Sequence, residues 1–303
     1  MDLSVDIAGL RLKNPILTAS GTFGYGLEFM PYGNLTSLGG IVVKGLSWEP
    51  RQGNPMPRIA ETSCGMLNAV GLQNIGVESF VEKKLPLLPW SEVPVIANLY
   101  ARDAEEFARL AEYLADQEGI AALEVNISCP NVRAGGVLFG QDPFQAAEVT
   151  KAVKDKAGTK PVIVKLSPNV TDITAIAKAG ADAGADALSL INTLSGTAVD
   201  IRTRKPRLAN VVGGLSGPAI KPVALRCVLQ VCRALHLPVI GIGGIASAED
   251  VLEFILVGAR AVQIGTANFL RPDMSFQIAA RLPELLKELN VSSWEKFRGT
   301  LEA

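Results

Sequence analysis

The stretch LPVIGIGGIASAEDVLEFILVGARAVQIGTANF, residues 237–269, holds two copies of one unit. Leu237 to Ile242 is a short apolar run that ends on paired glycines, and Ala261 to Gly265 is another that ends on Gly265 and Thr266. Between them Ala248 to Val257 spaces its apolar residues as a helix does. Continuously apolar runs, in place of strict alternation, indicate parallel strands covered on both faces. Working outward, six more such runs are present: Pro15 to Ala19, Ile41 to Lys44, Val93 to Leu99, Ala122 to Ile127, Pro161 to Leu166 and Asp186 to Ile191. Helical spacing recurs over Ala104 to Gln117, Pro143 to Ala157, Ile173 to Ala183, Pro222 to Leu235 and Ser275 to Leu289. Eight strand–helix units in a chain of 303 residues predict an α/β fold of the (β/α)8 TIM-barrel type, a single domain over 1–303. A doubly wound sheet is the alternative. AGADA at 183–187 beside VGARA at 257–261 reads as a repeated helix-to-strand turn and not as a solenoid period.

Two connections are too long for plain turns, 45–76 and 193–219, and are expected to act as lids over the barrel mouth. The basic run at 201–206 within the second reads either as a phosphate or partner site or as a solvated loop. Composition narrows the function. With 29 Lys and Arg against 30 Asp and Glu the net charge is −1, which gives no electrostatic capture of nucleic acid or an anionic membrane. The first residues alternate apolar and charged side chains and form neither a secretory nor a transit signal, so a cytoplasmic chain is expected. Four cysteines without CxxC spacing and a single histidine, His236, predict no metal site and no disulfide framework.

In a barrel the functional groups stand where strands end. Those positions carry Ser20 and Gly21, Lys44 and Gly45, Asn98, Asn126 with Ser128 and Cys129, Lys165 with Ser167, Asn192 with Thr193, Gly243 with Gly244, and Gly265 with Thr266. Capping and turn chemistry alone would put Ser, Asn and Gly there. A lysine closing an apolar strand is different, because Lys44 and Lys165 each need an anionic partner to offset the loss of water. The glycines after the last two strands suit a phosphate. Gly241, Gly243 and Ala246 also satisfy G-x-G-x-x-A, yet no acidic residue ends the following strand to hold a ribose, which argues against a dinucleotide fold.

The most specific segment is Glu124-Val-Asn-Ile-Ser-Cys-Pro-Asn131. Cys129 directly follows a strand and Pro130 keeps it out of helical conformation, so its thiol is expected at the mouth. Cys227 and Cys232 read as small apolar core residues. The amides of Asn68, Asn74, Asn126, Asn131 and Asn192 are candidates to surround Cys129 and hold a flat heterocycle.

Over essentially its whole length the chain resembles the class 1 dihydroorotate dehydrogenases. The motifs are NPILTASGTFGYG (14–26), KG (44–45), NAVGLQN (68–74), NISCPN (126–131), VKLSPN (164–169), NT (192–193), GGLSGPAIKP (213–222), GIGG (241–244) and IGTA (264–267). NVRAGGVLFG and LSGPAIKPVAL are most similar to the class 1B form. The resemblance implies one FMN per chain, oxidation of (S)-dihydroorotate to orotate in pyrimidine biosynthesis, and a separate electron-transfer subunit carrying FAD and a [2Fe–2S] cluster that passes electrons to NAD+. It implies a 2:2 heterotetramer built on a catalytic homodimer. Cys129 would take the C5 proton. Ser20, Gly21, Lys44, Gly45, Asn98, Asn126, Lys165, Ile191, Gly217, Gly243, Gly244, Gly265 and Thr266 would hold FMN, with Lys165 beside the flavin pyrimidine edge. Lys44, Asn68, Ala69, Val70, Gly71, Leu72, Asn126, Asn192 and Thr193 would hold the substrate. Two other readings stay open: a flavin barrel for a dihydropyrimidine without a carboxylate, such as dihydrouracil, and a non-catalytic barrel for a phosphorylated ligand in which Cys129 is structural.

Overall fold

The structure, a computed structural model, describes residues 2–128 and 139–302. Eight parallel strands form its central sheet: Ile16–Thr18, Ile41–Val42, Val95–Leu99, Ala122–Asn126, Val162–Leu166, Ala187–Leu190, Val239–Ile242 and Ala261–Ile264. Each pairs with its chain neighbours, and Ala261–Ile264 returns to Ile16–Thr18 with Val262 opposite Ile16. A parallel bridge from Leu17 to Gly40 closes the ring between the first two strands. The sheet is the expected TIM barrel, and every expected strand is present within two residues of its predicted start.

The helices lie where apolar spacing put them: Ala104–Ala115, Pro143–Lys154, Ile173–Asp182, Lys221–Ala234, Ala248–Leu256 and Met274–Glu288. Their starts are set by local chemistry. Asp103, Asp142, Asp172 and Ser247 each cap with a side-chain oxygen that accepts a backbone N–H of the first turn, and Pro143 sits at the first helical position, where no N–H is needed. The buried face of each packs on strands whose residues are almost all inaccessible to water. Among the described residues no helix is long and apolar enough to cross a membrane.

The two long connections, expected as lids, contain paired strands. Ile59–Thr62 and Gly65–Asn68 from the first, and Leu194–Thr197 and Val212–Ser216 from the second, pair as one four-stranded antiparallel sheet. Close strand contact requires its glycines: a Cβ on Gly214 would stand 2.1 Å from Thr193 Oγ1. The basic run forms an exposed hairpin, Val199–Asp200 against Lys205–Pro206, whose turn is held by Asp200 Oδ1 accepting from the N–H groups of Arg202 and Thr203.

Candidate active site

A cavity of about 1030 Å³ opens between the carboxyl ends of the barrel strands and the antiparallel sheet. Its wall includes Ser20, Gly21, Lys44, Gly45, Asn98, Asn126, Lys165, Ile191, Gly217, Gly243, Gly244, Gly265 and Thr266. It also includes Asn68, Ala69, Val70, Gly71, Leu72, Asn192 and Thr193. Of the candidates named for cofactor, substrate or catalysis, all except Asn74, Cys129 and Asn131 therefore face one space, although they come from almost the whole chain. Cys129 and Asn131 lie outside the described residues. The residue before Cys129 is held at this wall: Ser128 Oγ donates to Asn126 Oδ1 at 2.8 Å and accepts from Asn192 Nδ2 at 2.7 Å.

Asn74 is a correction. It is buried under the loop: its Nδ2 donates to Ser47 Oγ and to the Leu72 carbonyl, and its Oδ1 accepts from Gly76 N–H. It shapes the 68–72 segment and does not line the cavity. In that segment Gly71 and Leu72 both adopt left-handed backbone, φ 76° and 57°. A Cβ on Gly71 would also stand 2.5 Å from the Asn54 side chain, so glycine is required there.

The two strand-end lysines meet different fates. Lys165 is 4% exposed, and its Nζ lies 3.1 Å from Ser20 Oγ and 3.5 Å from Glu124 Oε1. The anion expected for Lys165 is thus supplied by the protein and not by a ligand. Lys44 ends partly exposed in the cavity, with no ion pair among the described residues. Burial, and then the nearby Arg58 guanidinium, push its ammonium below the usual 10.5. Among the described residues the acid on the cavity wall is Glu61, on the exposed rim. An anion entering beside Lys44 would relieve that imbalance.

Asn98 supplies a second unmet need. It is fully buried and donates from Nδ2 to Glu124 Oε1 at 2.6 Å, yet its Oδ1 has no donor among the described residues. That oxygen lies 3.0 Å from where a Cβ on Gly45 would stand, at the barrel mouth. An unpaired buried carbonyl costs roughly 1–3 kcal/mol, and a polar ring with an N–H at that level would satisfy it. Deeper on the other side, Gly243 and Gly244 have φ 131° and 75°. A Cβ on either would crowd Ala224 Cβ at 2.8 Å or Lys221 Cβ at 2.7 Å. Beside them Thr266 Oγ1 and Ser216 Oγ are 2.8 Å apart. Bare backbone and two hydroxyls form the kind of surface that receives a phosphate. A flat ring with a phosphate tail fits this donor set.

Sequence reasoning missed the polar interior beneath the cavity. Glu124, Ser189 and Gln263 are buried inside the barrel and joined by hydrogen bonds. The signal was available in a charged residue centred in the otherwise apolar ALEV.

The comparisons agree with this geometry. The family model described as dihydroorotate dehydrogenase matches residues 2–286. The chain is 70% identical over 301 residues to a protein of Solidesulfovibrio magneticus named dihydroorotate dehydrogenase B (NAD(+)), catalytic subunit, covering 99% of this chain and 98% of that one. It is 68% identical over 302 residues to the protein of the same name from Maridesulfovibrio salexigens, covering 100% and 99%. It is 58% identical over 301 residues to that of Geobacter metallireducens, covering 99% and 98%. With the match spanning nearly all of the barrel, the chain belongs to the dihydroorotate dehydrogenase family.

Proposed function

We propose that this chain is the FMN-bearing catalytic subunit of an NAD+-linked dihydroorotate dehydrogenase. It acts as one domain in the cytoplasm and oxidises dihydroorotate to orotate for pyrimidine synthesis. The observation that supports this most strongly is the pairing of two unmet needs in one cavity: the orphaned Asn98 oxygen at the barrel mouth and the unpaired Lys44 ammonium beside the 68–72 segment. The first suits a flavin ring. The second suits the carboxylate that distinguishes dihydroorotate from dihydrouracil.

FMN, when bound, supplies the two-electron acceptor for the hydride that leaves substrate C6. The chain's own residues do the rest. Cys129 takes the C5 proton, and because the thiolate is the basic form, the rate rises with pH as the thiol ionises. Lys44 binds the carboxylate. Asn68, Asn126 and Asn192 hold the ring edge with groups that donate and accept without ionising, and the backbone from Ala69 to Leu72, with Thr193, closes around it. Lys165 places a positive charge where negative charge gathers on reduction. Ser20, Gly21, Gly45, Asn98, Ile191 and Gly217 line the ring, while Gly243, Gly244, Gly265 and Thr266 receive the phosphate.

Electrons leave through a partner subunit carrying FAD and a [2Fe–2S] cluster, in a 2:2 assembly built on a dimer of this chain. The test is turnover of dihydroorotate with fumarate, quinone or NAD+, with and without the co-expressed partner. NAD+ reduction only in the complex supports the assignment; equal rates with fumarate by the isolated chain, and none with NAD+ in the complex, would overturn it.

A further inference from the structure

Glu124 is the least expected side chain in the barrel. It is inaccessible to water and sits in the middle of the strand Ala122–Asn126. Its carboxylate accepts from Asn98 Nδ2 at 2.6 Å, Ser189 Oγ at 2.9 Å and Gln263 Nε2 at 2.5 Å, and faces Lys165 Nζ at 3.5 Å. Groups from four other barrel strands therefore converge on one anion. A buried ion pair is a poor way to gain stability, because the desolvation of both charges offsets their attraction. Two of the four partners, Asn98 and Lys165, also face the cavity.

We propose that Glu124 is a positioning residue for the flavin: through Lys165 it fixes the place and the net charge of the cation beside the ring, and so sets how readily the bound flavin accepts electrons. This rests on the placing of Lys165 beside FMN given above. A lone ammonium there would favour the electron-rich reduced ring strongly. A carboxylate 3.5 Å behind it offsets part of that pull, leaving a flavin that accepts hydride from substrate and can still be reoxidised. The charged groups around Lys165 are Glu124 on the adjacent strand and Lys44 on the shared cavity wall, with Ser20 as its neutral contact.

The test is a double-mutant cycle on the FMN-loaded protein, read as the ratio of reduced to oxidised flavin against a dye of fixed potential. E124Q is expected to move that ratio roughly tenfold toward the reduced form, and by clearly less in the K165M background, where there is no ammonium left to place or offset. Ser189→Ala removes one hydrogen bond but leaves both charges, and the ratio should stay within about twofold. If E124Q does not retain FMN, E124D, which withdraws the charge from Lys165, is read in the same titration and should shift the ratio in the same direction by less. An unchanged ratio in E124Q, or E124D in its place, alongside a shifted one in K165M overturns the proposal, as does an equal E124Q shift in both backgrounds. A ratio unchanged in K165M instead removes Lys165 from the flavin, and this proposal with it.

Discussion

Replacing Lys44 by Met removes the ammonium while keeping an unbranched stem of similar bulk, and its consequences run in opposite directions with and without ligand. In the ligand-free protein the ammonium has lost water, faces Arg58 and has no ion pair among the described residues. Removing it should leave the melting temperature unchanged or raise it by a few degrees. With orotate the lysine gains its counter-ion. A charge-assisted hydrogen bond is worth roughly 1.5–3 kcal/mol, and at about 1.4 kcal/mol per decade its loss weakens orotate binding by about 10- to 100-fold. Titration calorimetry of FMN-loaded wild type and K44M measures the second effect, and thermal unfolding without orotate the first. Uracil, which lacks the carboxylate, should bind the two proteins equally. Unchanged orotate affinity, or an equal loss for uracil, would refute the reasoning, and a melting temperature lowered by many degrees would show that Lys44 is a structural cation.

The same lysine predicts a pH dependence. Its folded-state value lies below the usual 10.5, so between the two the unfolded chain binds more protons and ligand-free stability rises with pH. Orotate favours the charged form, so its affinity should fall as pH rises through that window, and a pH-independent dissociation constant up to 10.5 would contradict this. Gly244→Ala places a Cβ 2.7 Å from Lys221 Cβ at a residue with φ 75°. Left-handed backbone alone costs an alanine about 1–2 kcal/mol, so the fold should lose stability and FMN should bind more weakly. Flavin content after dialysis, compared with a surface Gly158→Ala control of similar backbone angle, checks it; equal retention by both would remove Gly244 from the phosphate surface.

The barrel is legible because its strands are buried on both faces and its helices on one, so unbroken apolar runs alternate with stretches of period 3.6. The helix starts are equally plain, since Asp103, Asp142, Asp172 and Ser247 cap in the local chain without tertiary help. The antiparallel sheet was not legible: Gly65–Asn68 and Val212–Ser216 carry glycines that read as loop, and only their mutual packing makes them strands. The site was readable at strand ends, where polar residues interrupt apolar runs. Which lysine keeps an open charge was not, because the partner of Lys165 stands on the neighbouring strand and meets it only when the two strands pair in register. Asn74 and Asn68 look alike in sequence, and the turn through Gly71 and Leu72 decides which of them faces the ligand.

The most direct measurement is anaerobic reduction of the bound flavin by dihydroorotate, followed by the loss of its visible absorbance, in wild type and Cys129→Ala. The account predicts prompt bleaching in wild type, and in the variant an undiminished flavin content with a bleaching rate lower by ~10²-fold or more at neutral pH. Equal bleaching rates in the two proteins would contradict it.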